Sequence, residues 1–215
     1  MKFDKHSLLL YAVTDRAWLN GRTLSSQVEQ SLKGGATLVQ LREKELGFEQ
    51  FLQLAQEIKT ICHAYNVPLI INDDIDVALA CDADGLHIGQ CDLEARTARE
   101  RIGMHKILGV SVQTTQQALL AQQNGADYLG VGAVFPTGTK ADASGVSVAE
   151  LKTICGAVSL PIVAIGGITE ENLPLLANTG IHGVAVVSAI YAQPDAMAAA
   201  TRLKTLAQGV VPYEV

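Results

Sequence analysis

The stretch VFPTGTKADA, Val134 to Ala143, follows a strongly apolar run and gathers two hydroxyls and an ammonium, Thr137, Thr139 and Lys140, in one turn. Such groups suit an anion, because all three can donate to its oxygens. Asp73 in INDDID and Asp92 in HIGQCD stand nineteen residues apart. If each follows its own strand in a parallel pair about 4.8 Å apart, both carboxylates can face one hard cation, and two carboxylates with several waters suit Mg²⁺. In VQLREK, Gln40, Arg42 and Lys44 alternate and so share a face, while Glu43 points elsewhere. Alone, Arg42 to Glu45 is a surface ion-pair run; straight after a strand, a guanidinium plus an ammonium suits a pyrophosphate. The double glycine of IVAIGGIT and the serine of VAVVSAI set the backbone N–H groups of Gly167 and Ser188 beside helix starts, which makes a phosphate cradle. His87, inside a strand, reads as a core or rim residue and not as a base. No His-carboxylate dyad and no activated Ser or Cys emerges, which argues against hydrolysis through a covalent intermediate.

These groups can meet only if the elements between them return each one to the same place. Short β-branched runs alternate with longer helical stretches, the rhythm of parallel βα units. Eight strands are expected at Leu8–Val13, Leu38–Leu41, Leu69–Ile71, Gly85–Ile88, Ile107–Val110, Tyr128–Val131, Ile162–Ile165 and Gly183–Val187. Helical spacing is clearest over Phe48–Ala64, where Phe51, Leu54, Ala55, Ile58, Ile61 and Cys62 share one face. Further helices are expected at Thr115–Asn124, Val148–Ile154, Thr169–Ala177 and Asp195–Leu206. The segments GGATLVQ, DADGLHIG, GADYLGVG and GIHGVAVV form a weak internal repeat, each joining a helix end to every second strand. Eight such units that close make a (βα)8 TIM barrel, a single domain over residues 1–215. An open doubly wound sheet allows the same alternation, but the chain lacks the G-x-G-x-x-G turn of a dinucleotide-binding sheet. A barrel carries its functional groups on the loops after the strands. Thr14, Asp15, Arg42, Lys44, Asn72, Asp73, Gln90, Asp92, Ser111, Thr137 to Lys140, Gly166, Gly167 and Ser188 would then share one rim.

Composition narrows the partners. At 215 residues and 48% hydrophobic content, the chain can bury one full core. A formal charge of −6, with no basic run, gives no field for nucleic acid or an acidic membrane. The longest apolar runs fall far short of the roughly 20 residues of a membrane span. The start lacks a secretory pattern, and Cys62, Cys81, Cys91 and Cys155 form no C-x-x-C pair, so a reducing, cytoplasmic setting is expected. The outer helices are apolar enough to pair, which leaves a homo-oligomer open.

Taken in order, LYAVTD (Leu10–Asp15), VQLREK (Val39–Lys44), INDDIDVALA (Ile71–Ala80), GLHIGQCD (Gly85–Asp92), LGVS (Leu108–Ser111), GADYLGVGAVFPTGTKADA (Gly125–Ala143), PIVAIGGI (Pro161–Ile168) and GVAVVSAI (Gly183–Ile190) resemble the thiamine phosphate synthase family over nearly the whole chain. The resemblance implies that the pyrophosphate ester of aminomethyl-hydroxymethylpyrimidine loses pyrophosphate and a thiazole phosphate, carboxylated or not, captures the methylene through nitrogen. It implies that Gln40, Arg42, Lys44, Asn72, Ser111 and Lys140 contact the pyrimidine pyrophosphate, with Arg42, Lys44, Ser111 and Lys140 as the catalytic set. Asp73 and Asp92 would hold Mg²⁺, and Thr137, Thr139, Gly167, Val187 and Ser188 would hold the thiazole phosphate. A related thiazole tautomerase and a non-catalytic thiazole-phosphate sensor on the same scaffold are the alternatives. Cys91, Gly138 and Asn178–Gly183 depart from the family's common pattern without removing a ligand.

Overall fold

The computed structural model describes residues 3–137 and 145–211. Eight parallel strands close in chain order: β1 (Leu10–Val13), β2 (Leu38–Leu41), β3 (Leu69–Asn72), β4 (Gly85–Ile88), β5 (Ile107–Val112), β6 (Tyr128–Val131), β7 (Ile162–Ile165) and β8 (Gly183–Val186). β8 returns to β1, with Leu10 opposite Val184 and Ala12 opposite Val186, which leaves no open edge. The expected (βα)8 barrel is the fold. The helices are α1 (Leu24–Lys33), α2 (Phe48–Ala64), α3 (Ile75–Ala80), α4 (Ala95–Ile102), α5 (Thr115–Gln123), α6 (Val148–Ala157), α7 (Ser188–Tyr191) and α8 (Ala196–Val210).

Side chains alternate across each strand, so the sheet has two apolar faces. One cluster fills the barrel interior: Leu8, Tyr11, Val13, Leu38, Ile70, Tyr128, Val163 and Ala185. The larger cluster lies between the outer face and the helices, where α2 contributes Phe51, Ala55, Ile58 and Cys62.

The internal repeat has a structural cause. Its triplets are Gly35-Ala36-Thr37, Asp82-Ala83-Asp84, Gly125-Ala126-Asp127 and Gly180-Ile181-His182. The first residue of each adopts left-handed backbone, φ 96°, 51°, 85° and 90°, which turns the chain out of its helix. Asp82 takes glycine's place with a short polar side chain that tolerates this region, and it pairs with Lys59 and Lys106. The middle residue is buried each time. The third reaches back to the preceding odd strand: Thr37 Oγ1 accepts from Leu10 N–H at 2.9 Å, Asp84 Oδ2 from Leu69 at 2.7 Å, Asp127 Oδ2 from Leu108 at 2.8 Å and His182 Nδ1 from Ile162 at 3.2 Å. The backbone N–H groups of the same four residues donate to the carbonyls of Leu10, Leu69, Leu108 and Ile162. Each even strand is thus fastened to the odd strand before it.

One expectation is corrected. Residues 169–177 hold only a 3₁₀ turn, Leu173–Leu176, with Pro174 in its first turn; proline lacks the N–H and its ring clashes with the carbonyl four residues back, so an α-helix cannot run through it. The sequence reading also passes over α1 and α4. Their core faces carry polar residues, Gln27 and Ser31 in α1 and Arg99 in α4, which breaks the apolar period. Arg99 is buried because its guanidinium is satisfied, donating to the carbonyls of Gly125, Gly103 and Lys106 at 2.9, 2.7 and 2.7 Å and to Asp127 at 2.5 Å.

Candidate active site

Among the described residues eight polar or charged side chains are buried, and Thr14, Gln40, Asn72 and His87 lie in or just beyond β1 to β4. A buried polar group costs a few kcal/mol unless it is paired, so this clustering marks the mouth.

The first two loops exchange ion pairs. Arg42, straight after β2, donates Nη1 to Asp15 Oδ2 at 3.1 Å, and its backbone N–H reaches Thr14 Oγ1 at 3.0 Å. Asp15 occupies one of the five guanidinium donors and so orients the group. Arg16 pairs with Glu43, whose Oε1 also accepts from the N–H groups of Lys44 and Glu45 at 2.8 and 3.1 Å. Burial raises the Glu43 carboxyl, but the Arg16 hydrogen bond and the two amides outweigh it and hold the group below the ordinary carboxylate value. Gln40 is buried, Arg42 and Glu43 are half-buried and Lys44 is exposed, the last three lying beyond the end of β2.

Asn72 ends β3, and Asp73 beyond it takes a left-handed φ of 62° and donates its N–H to the His87 carbonyl at 2.8 Å. That bond ties the lip of β3 to β4. Asp74 caps α3, its Oδ1 accepting from Val77 N–H at 2.8 Å. Asp76 is already inside the first turn and pairs with Arg101. Asp92 folds back so that Oδ2 accepts from Gly89 N–H at 2.7 Å, just past β4. Among the described residues no group of three or more His, Cys, Asp or Glu could hold a metal. Asp73 and Asp92 are exposed oxygen donors beyond adjacent strands, a set that fits a hard cation keeping most of its waters.

Beneath the mouth a chain of side chains crosses the interior. Gln40 Nε2 donates to the Tyr11 hydroxyl at 2.7 Å, Tyr11 meets the Tyr128 hydroxyl at 2.8 Å, Tyr128 meets His87 Nδ1 at 2.9 Å, and His87 Nε2 meets Ser111 Oγ at 2.9 Å. Gln90 donates to the Ser111 carbonyl at 2.7 Å. Burial raises the Tyr11 phenol, against the lowering hydrogen bonds of Tyr128 and Gln40, and also raises Tyr128, so both stay protonated donors. Gly109 stands in register with both His87 and Tyr128. A Cβ there would lie 2.2 Å from Tyr128 Cζ and 2.5 Å from His87 Nδ1.

On the far side, the loops after β6 and β7 are joined by Val134 N–H to the Ile165 carbonyl at 3.0 Å and Phe135 N–H to the Gly166 carbonyl at 3.1 Å. Thr137 closes that described stretch; Thr139 and Lys140 lie outside the described residues. Gly166 and Gly167 have φ of 97° and 64°, and a Cβ on Gly167 would come within 2.3 Å of the Pro136 carbonyl oxygen. Turn geometry therefore demands these glycines whatever binds there. Val187 is the N-cap of α7 and gives no side-chain cap; its carbonyl accepts from the N–H groups of Ile190 and Tyr191 at 3.1 and 2.9 Å, and the N–H groups of Ser188 and Ala189 come before that first helical bond.

The described candidates thus lie at the carboxyl ends of their strands, on one rim. The sequence reading leaves Tyr11 and Tyr128 unassigned and treats His87 as packing. The available signal was glycine at position 109 inside a β-rich run, which marks a close approach.

A family model described as thiamine monophosphate synthase matches residues 10–190. The chain belongs to that family. It is 53% identical over 194 residues to the thiamine-phosphate synthase of Clostridium tetani (strain Massachusetts / E88), covering 90% of this chain and 93% of that one. It is 54% identical over 200 residues to the thiamine-phosphate synthase of Ruminiclostridium cellulolyticum, covering 93% and 95%. Among solved structures, a thiamine phosphate pyrophosphorylase from Pyrococcus furiosus superposes with a TM-score of 0.90 at 35% identity, covering 97% of this chain and 99% of that one. A 3-hexulose-6-phosphate synthase, at 17% identity and a TM-score of 0.65, shares the fold alone. In TIM-barrel enzymes the active site sits at this rim, where the loops follow the carboxyl ends of the strands.

Proposed function

We propose that this protein is a thiamine-phosphate synthase, a transferase that condenses the aminopyrimidine pyrophosphate with thiazole phosphate and releases pyrophosphate. The carrying observation is the pairing of family membership with a rim that holds a guanidinium and an ammonium, Arg42 and Lys44, and two exposed carboxylates, Asp73 and Asp92. The four cysteines are free, in keeping with a cytoplasmic enzyme, and among the described residues no helix is long and apolar enough to cross a membrane.

In this reading Arg42, held by Asp15, and Lys44 grip the diphosphate together with Lys140, and Ser111 and Asn72 complete its contacts. Asp73 and Asp92 would hold Mg²⁺, which when bound supplies neutralising charge for the leaving group. Thr137, Thr139, Gly167, Val187 and Ser188 orient the thiazole phosphate so that its nitrogen faces the pyrimidine methylene. The departing diphosphate carries the charge that develops, so fixed positive groups and fixed orientation lower the barrier with little proton transfer. The described part of the site agrees with that demand, since Arg42 and Lys44 supply fixed cationic donors.

Incubating the purified protein with both substrates, with and without Mg²⁺, tests the reading. Mg²⁺-dependent thiamine phosphate is expected. Isomerised thiazole without condensation, or tight thiazole-phosphate binding without conversion, would replace it with the tautomerase or the sensor.

A further inference from the structure

With Gln40 Nε2 as the first donor and His87 neutral, proton counting gives the chain from Gln40 to Ser111 one continuous direction. An amide nitrogen only donates, so the Tyr11 oxygen is the acceptor in the 2.7 Å bond from Gln40 Nε2. The single Tyr11 proton then goes to Tyr128, 2.8 Å away. Tyr128 has accepted, and it gives its own proton to His87 Nδ1 at 2.9 Å. A neutral imidazole whose Nδ1 accepts carries its hydrogen on Nε2, which donates to Ser111 Oγ at 2.9 Å. The Ser111 hydroxyl, having accepted from below, turns its own proton toward the mouth. At the other end, fixing Gln40 Nε2 downward leaves Oε1 as the outward group.

We propose that Tyr11, Tyr128 and His87 act as positioning residues that set hydrogen-bond polarity at the mouth, holding Ser111 as a donor and Gln40 as an acceptor. This rests on the proposed function for its ligand: a diphosphate supplies acceptor oxygens for Ser111, and an aminopyrimidine supplies a donor for Gln40. Without the chain, both side chains could present either polarity, since a serine hydroxyl rotates and a glutamine amide flips. Burial supports the assignment, because Tyr11, Tyr128, Gln40 and His87 are each less than a tenth exposed and so have little water to offer alternative bonds. Packing supports it as well: Gly109 carries no side chain where Tyr128 and His87 pass.

The wild-type protein gives the direct test. With ¹⁵N-labelled histidine assigned through the backbone of β4, the ligand-free protein near neutral pH is expected to show His87 as the Nε2–H tautomer. The Nδ1–H tautomer would reverse the chain and overturn the proposal. This measurement needs no turnover, so it stands apart from any failure of the synthase reading. In the second arm, Tyr128→Phe removes the central link. We expect kcat to fall and KM for the pyrimidine pyrophosphate to rise, together lowering kcat/KM by roughly ten- to a hundredfold, with KM for thiazole phosphate unchanged and the two His87 tautomers mixed. Unchanged kinetics, or equal loss toward both substrates with the tautomer retained, would overturn it. Should that variant fail to fold, Tyr11→Phe breaks the chain one link earlier and is read the same way.

Discussion

Replacing Gly109 with alanine places one methyl group where the barrel has no room. The added Cβ would sit 2.2 Å from Tyr128 Cζ, 2.3 Å from its hydroxyl and 2.5 Å from His87 Nδ1. Carbon atoms pack comfortably at about 3.5 Å, so the ring must retreat by roughly 1.3 Å. It has nowhere easy to go, because Tyr128 is fully buried and its hydroxyl is bonded on both sides. Overpacking of this kind costs about 1–3 kcal/mol, and two weakened internal hydrogen bonds add about 1 kcal/mol each. The expected loss is therefore roughly 3–5 kcal/mol, or roughly 6–20 °C in Tm for a domain of this size. Gly156→Ala is the matched control: this glycine lies inside α6 with nothing within 4 Å of an added Cβ. The same methyl there should stabilise by about 0.5–1 kcal/mol. Reversible thermal or urea unfolding of both variants, with turnover measured on the folded protein, decides the matter. A Gly109→Ala variant as stable and active as wild type would refute both the crowding and the importance of the chain it disturbs.

Lys140→Ala should leave unfolding curves intact and lower turnover by about 10²–10³; near-normal turnover would remove Lys140 from the site. Thiol labelling at pH 8 should find one fast cysteine, the exposed Cys91, because burial pushes Cys62 up to about 12 and Cys155 to about 11 and raises Cys81 as well. Cys91→Ser should abolish the fast phase, and a second fast thiol would contradict the burial. Glu43 titrates below its unfolded value in the folded protein, so its contribution is present above the ordinary carboxyl pKa of about 4.3 and fades as pH falls through the folded value. The stability gap between wild type and Glu43→Gln, measured by urea unfolding, should thus be open at pH 6 and shrink below about pH 4; a gap that widens in acid would refute the pairing.

The strands were legible because buried β runs are short, apolar and bounded by polar turns; six of the eight match at both ends or differ by one residue at one end, and β1 begins later only because Lys5–Leu8 forms a 3₁₀ turn. The rim was legible for a related reason: a barrel fixes where strand ends go, so residue types just past each strand suffice to list candidates. Arg42, Asn72, Asp73 and Ser111 fell out of that rule. What the sequence concealed was pairing between distant residues. Nothing local links Tyr11 to Tyr128, which are 117 positions apart yet share a hydrogen bond. The Asp15 bond that orients Arg42 is hidden in the same way, since its two residues belong to different loops. α4 was hidden by Arg99, a charged residue that can sit on a core face once four of its five donors are met by neighbours.

The fastening of each even strand to the odd strand before it adds a side-chain tie within each of four successive strand pairs. A chain severed after α4, between the second pair and the third, would yield two half-barrels that each keep both of their fastenings whole. A break within α3 or α5 would instead part Asp84 from Leu69, or Asp127 from Leu108. Reassembly from fragments should therefore be more efficient at the first division than at the others.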